Sequence, residues 1–354
     1  MEPFRPRERV EPYRIAWFCI MLAVVTVGMS AGVRPSRLGD DVSQRHRPAA
    51  AQPSGAFDVV AKLRDGSITS REATEMLLRD YPGVVAFGVA MFALACAGFV
   101  GGLTLLVLWR RGRRIKPMAS WAPGAPWSPF DVAEVLVFFL FAQIVISFLV
   151  YAVTSTLRLG HSEGAAALAL ITIIYVLTGL ATVAVMSART PGGFRGLLRA
   201  LRIRSGRTGM RIIQGAIGYA VVLPAFMLAF QLTPVKQHPL ESNPVIPVLL
   251  QSSAPWAKAL ALFLVGFCAP VFEETLFRGF AYQAIKRRWG MAAGVIITAA
   301  VFAVAHQNPG GALALGVLGA GLAIIYEVTG SLLPCMVAHA AQNVLALIAL
   351  TLAT

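Results

Sequence analysis

A chain of 354 residues that is 57% hydrophobic and 14% charged, with a mean hydropathy of +0.69, falls outside the soluble globular class, whose charged content is about a quarter. The net charge of +14 does not indicate nucleic acid, because the Arg and Lys residues gather in loops between apolar runs, which is a membrane-topology pattern. The composition specifies an all-α fold, a polytopic membrane helical bundle of about nine transmembrane helices.

The first apolar run, residues 15–33, follows a cytoplasmic N-terminus, 1–14, that carries Arg5, Arg7, Arg9 and Arg14. It is longer than a signal-peptide core and no small-x-small site closes it, so it reads as an uncleaved anchor. Residues 34–83 form the polar extracytoplasmic segment between the two spans of region 15–109. Within it, Thr69-Ser70-Arg71-Glu72 is a capping box that opens a short helix ending near Asp80. The second span, 84–109, closes on the basic run 110–116. Trp121 and Trp127 then suit the headgroup layer.

Region 128–232 supplies three more spans. Ser128 and Pro129 start the third as cap and first helical residue, and the helix dipole accounts for Asp131 and Glu134 near its start. The fourth runs over 165–186. The loop 187–211 holds seven arginines and no acid, and 194–202 has the pattern of a basic amphipathic helix on an anionic leaflet. The fifth span, 212–232, contains Pro224, a helix-kinking residue.

Region 255–354 holds the last four spans, 259–280, 291–306, 312–326 and 332–352, and reads as a four-helix catalytic core. Loops on the N-terminal side carry nineteen cations against eleven on the other, which puts the N-terminus inside and the C-terminus outside. The 307–311 turn, Gln-Asn-Pro-Gly-Gly, joins two short spans, so it is expected to stop within the bilayer and roof a wet chamber. Cys19, Cys96, Cys268 and Cys335 each stand alone in apolar runs with no CxxC spacing, and read as small packing residues.

The charges within this core are the informative ones. An ionised side chain at mid-bilayer costs at least ~2.5–3.5 kcal/mol on insertion scales and marks a wet or protein-lined interior. Glu274 and Arg278 are spaced i,i+4 and neutralise each other on one helix face, while Glu273 points about 100° away with no local cation. A turn at Trp289-Gly290 places Glu273 and His306, 16 or 17 residues to either side, at the same depth of an antiparallel hairpin. His339 and Asn343 share a face of the last helix. A buried carboxylate, two imidazoles and an amide form a set suited to activating water and stabilising an oxyanion.

The elements Glu273-Glu274-x-x-x-Arg278-Gly279, Phe302-x-x-x-His306 and His339-x-x-x-Asn343, in this order on successive apolar segments, resemble the signature of the CPBP family of intramembrane proteases. That family includes the type II CAAX prenyl endopeptidases and bacterial relatives. The resemblance spans about residues 255–350 and implies that Glu273 and His306 activate the hydrolytic water, that His339 and Asn343 face the oxyanion, and that Glu274 and Arg278 brace the site. It also implies a membrane-associated protein or peptide substrate, prenylated or bearing a leader or sorting segment, and the Ala-, Gly- and Arg-rich composition points to a bacterial cytoplasmic membrane. Glu273, His306 and His339 are equally the ligand set of a divalent metal such as zinc with one open position, so metal-dependent and metal-free mechanisms both stand. A proton-coupled transporter would use the same buried charges, but would show internal repeats, and none is found.

Overall fold

The structure is a computed structural model that describes residues 11–30, 55–64, 66–111, 126–156, 164–201, 208–232, 255–306 and 308–353. Among the described residues there is no strand. The helices are α1 (Pro12–Ser30), α2 (Ala56–Arg64), α3 (Ser70–Asp80), α4 (Pro82–Arg110), α5 (Pro129–Thr156), α6 (Gly164–Ala188), α7 (Gly193–Leu201) and α8 (Thr208–Leu232). A long composite rod follows. It comprises α9 (Pro255–Phe263), a π-turn (Leu264–Cys268), α10 (Ala269–Glu274), a second π-helical stretch (Thr275–Tyr282) and α11 (Gln283–Ala305). The chain closes with α12 (Ala312–Thr329) and α13 (Leu332–Ala353).

Among the described residues, seven stretches are long and apolar enough to cross a membrane, and Pro12–Thr26 is a shorter apolar helix. The stretch Pro255–Ala305 is 51 residues long and folds as two antiparallel spans, because Gly290 at φ 86°, ψ 173° breaks α11. A side chain at that φ would be strained, and the turn falls where the hydrophobic pattern puts it. The fold is therefore the expected polytopic helical bundle.

Helix α8 lies between α4, α12 and α13. Its approach to α4 is so close that a Cβ on Gly98 would sit 1.7 Å from the Ala220 carbonyl oxygen. On the other flank α5 packs on α1 and α6, and α6 seats against α9 through Leu168, Ala257 and Ala261, all fully buried. At the end of the bundle where α5 and α8 begin, Arg14 of α1 donates to Asp131 and Glu134 of α5, and Arg189 donates to the same Glu134 from 2.9 Å.

Several local expectations change. The 34–83 segment contains α2 as well as the capped α3, whose Glu72 carboxyl is held below its usual range by the Thr69 backbone amide and hydroxyl. Trp127 is 2% exposed rather than interfacial. Its indole donates to Thr190 (3.0 Å) and packs on Phe280, because burying an aromatic body with its N–H satisfied outweighs a place at the surface. Trp121 lies outside the described residues, as do His46, His161 and His238. Helix α7 turns Gly196, Leu197 and Leu201 toward the protein, against α6 and the second π-helical stretch, and leaves Phe194 and Leu198 exposed. Asp131 and Glu134 do more than complement a dipole, since both join an ion cluster.

Candidate active site

The site is built around α10 and the two π-helical segments that bracket it. Wide turns of this kind shift the register of a helix and recur at functional sites. Here they bracket Glu273 and Glu274, which point in different directions. Glu274 accepts from Arg278 Nη1 at 2.7 Å, and both side chains are fully buried. Arg278 also donates from Nη2 to the Gly319 carbonyl at 2.9 Å and lies 4.7 Å from the Phe302 ring centroid. A Cβ on Gly319 would come within 3.1 Å of Ala299 and 3.3 Å of the Phe302 ring, so the glycine keeps its carbonyl within reach of the guanidinium.

The two imidazoles converge on Glu273. Glu273 Oε2 lies 3.7 Å from His306 Nε2 and 3.8 Å from His339 Nε2, and among the described residues it has no hydrogen-bond partner. The tautomers follow from the other ring nitrogens. His306 Nδ1 is 2.7 Å from the Phe302 carbonyl, and His339 Nδ1 is 2.8 Å from Glu274 Oε1. A carbonyl oxygen and a carboxylate accept, so both Nδ1 atoms carry hydrogen, and both Nε2 atoms are turned toward Glu273. Glu274 therefore serves Arg278 and His339 at once.

Asn343 stands one helical turn beyond His339, and its amide donates to the Val265 carbonyl (2.8 Å) of the first π-turn. One further side chain reaches the site, and sequence reasoning missed it. The Tyr175 hydroxyl, on α6, donates to Glu273 Oε1 at 2.8 Å. Glu273 thus has one oxygen held and one aimed at the imidazoles.

Residues 255–345 match the family model for type II CAAX prenyl endopeptidases, Rce1-like. The matched segment, about a quarter of the chain, is similar to the Rce1-like domain. The family is one of CAAX-type membrane endopeptidases, and the match lends no support to a transporter. No curated protein and no solved structure matches the chain. The match excludes α1 to α8, although α6 supplies Tyr175.

The geometry of the Rce1-like segment bears on the metal. Tetrahedral zinc bonds of ~2.0–2.1 Å set ligand atoms roughly 3.3–3.4 Å apart, whereas Glu273 Oε2 stands 3.7 and 3.8 Å from the two nitrogens. Among the described residues no group of three or more His, Cys, Asp or Glu is spaced to hold a metal ion. As set, the side chains do not fit the ion, and no step is routed through one. The spacing suits a water that bridges Glu273 Oε2 and an imidazole Nε2 at ~2.8 Å from each.

The α11–α12 hairpin ends beside this site. His306 directly precedes the turn, where the Asn308 side chain accepts from Gly311 N–H at 2.9 Å. Helix α13 continues 14 residues beyond His339 to Ala353, or ~20 Å at 1.5 Å per residue, and the rod that carries Glu273 begins 18 residues earlier, at Pro255. The turn therefore stops well short of its neighbours' ends.

Proposed function

We propose that the chain is an intramembrane endopeptidase whose catalytic core is residues 255–354, and that Glu273 and His306 activate a water for attack on a scissile carbonyl. The water donates one hydrogen to Glu273 Oε2 and the other to His306 Nε2, which leaves an oxygen lone pair for the carbonyl carbon. On attack, Glu273 takes the proton. His339, protonated at Nε2 and supported at Nδ1 by Glu274, faces the oxyanion. Asn343 is the second donor, because Val265 takes only one of its two amide hydrogens. Collapse of the tetrahedral adduct breaks the C–N bond, and Glu273 passes its proton to the leaving amine.

The observation that carries this reading is the buried Glu273 Oε2 poised at 3.7 and 3.8 Å from two Nε2 atoms. The substrate class is a membrane-associated protein or peptide, including prenylated C-terminal motifs and leader or sorting segments. The cation bias supports an N-terminus on the inner side of a bacterial cytoplasmic membrane.

The test is cleavage of a prenylated C-terminal peptide, and of membrane proteins followed by terminal proteomics, using purified protein in detergent. Parental protein is expected to generate new termini, and Glu273→Gln to lose them at unchanged yield. Glu273→Gln that cleaves at the parental rate removes the assigned base.

A further inference from the structure

The proposal concerns a residue that lies outside the matched segment and rests on the protease reading above. Helix α6 touches the rod at two levels. Near the start of α9 the contact is between small and aliphatic side chains, Leu168 against Ala257 and Ala261, with Tyr175 and Phe272 packed on the same cluster. One turn beyond Tyr175, Gly179 meets Phe272 so closely that a Cβ there would lie 2.5 Å from the ring. Phe272 precedes Glu273. The missing side chain at 179 therefore lets α6 close on the segment that presents the carboxylate, and Tyr175, on the same face as Gly179, arrives with its hydroxyl 2.8 Å from Glu273 Oε1. The Tyr175 and Phe272 ring centroids are 6.3 Å apart.

The geometry points to Tyr175 as a positioning residue for Glu273. A carboxylate that must turn Oε2 toward His306 and His339 has a freely rotating terminal torsion, and fixing its other oxygen selects the rotamer in which Oε2 faces both rings. The tyrosine hydroxyl, half-buried between α6 and the rod, is the hydrogen-bond donor to Oε1, and the 98 residues between the partners make this a tertiary device. The hydroxyl does not touch the scissile bond. It acts through Glu273, so its removal should slow the chemical step and leave substrate binding alone.

The experiment is Tyr175→Phe, which deletes one oxygen and keeps the ring on Phe272, in the full-length protein with a cleavable peptide. The expected result is a kcat about 10- to 100-fold lower, the range for losing a hydrogen bond to a charged group. KM should stay within twofold, with kcat counted per folded molecule. A double-mutant cycle isolates the coupling: in a Glu273→Gln background, Tyr175→Phe is expected to have no effect on the residual rate. A parental kcat in Tyr175→Phe overturns the proposal, as does an equal fractional loss in both backgrounds. A parent that cleaves nothing overturns the protease reading instead, so the two failures are separable.

Discussion

Arg278 is enclosed by one carboxylate, one carbonyl and two aromatic rings, Phe277 and Phe302, and shows no solvent exposure. A buried pair of this kind is costly to break and cheap to replace, since removing one partner strands a charge while removing both strands none. Arg278→Ala leaves Glu274 buried without its cation and is expected to cost ~3–5 kcal/mol, read as a lower melting temperature in detergent and a lower yield of folded protein. Replacing both, as Glu274→Leu with Arg278→Met, should restore most of that stability. Activity should not return with it, because His339 Nδ1 loses its acceptor, Glu274 Oε1. A doubly replaced protein that cleaves normally would show that Glu274 serves stability alone. The Glu274–Arg278 pair was legible in the sequence because its geometry is local, a single turn of one helix. Tyr175 was not, because a tyrosine in an apolar helix looks like any other packing residue until the tertiary partner is known.

At the scale of elements, the hairpin formed by α11 and α12 decides where the chemistry sits. Its lower turn was readable from Trp289-Gly290, where polar chain and glycine interrupt two apolar runs. The π-helical segments were not, because an extra residue in a turn leaves no mark on composition. Glu273 and Glu274, both in α10 between them, diverge because successive residues of a helix lie about 100° apart. The upper turn at Asn308–Gly311 lies ~20 Å short of the far end of α13, counted at 1.5 Å per residue. A cysteine at Pro309, an exposed position, should therefore react with a membrane-impermeant maleimide more slowly than one at Glu75 on α3, whose side chain is 64% exposed. The comparison needs Cys19 and Cys96, both exposed, replaced by Ala. Equal labelling rates would place the turn in open solvent and remove the chamber above the site.

At the scale of the whole molecule, the Rce1-like match ends at the domain while the packing does not. Helix α7 and Trp127 both lie against the second π-helical stretch, and a Cβ on Gly279 would meet Leu201 of α7 at 2.4 Å. The helical spans were legible because a 20-residue apolar run has few other fates. What joins them was hidden: Arg14, Asp131, Glu134 and Arg189 each satisfy a local rule of topology or helix polarity, and only the fold brings them together. Glu327 behaves the same way: at the end of an apolar span, it is 6% exposed and accepts from Tyr282 (2.7 Å) and from Lys286. Glu134, with a side chain 3% exposed, accepts from both Arg14 and Arg189. Glu134→Ala therefore leaves Arg14 with Asp131 alone and Arg189, a quarter exposed, without its carboxylate, and should cost less than the about 3–5 kcal/mol of a fully buried broken pair, loosening α1 and the end of α6. Because Arg189 closes the helix that carries Tyr175, two outcomes are distinguishable. If the cluster only holds the helices together, kcat per folded molecule stays at the parental value while the melting temperature falls; if it also sets the register of α6, kcat falls with it, and the Tyr175→Phe effect shrinks in the Glu134→Ala background. The register of α6 is fixed near its other end by Leu168 against Ala257 and Ala261, some 20 residues away, so the first outcome is expected. An unchanged melting temperature would mean that water reaches the cluster and pairs the stranded charges.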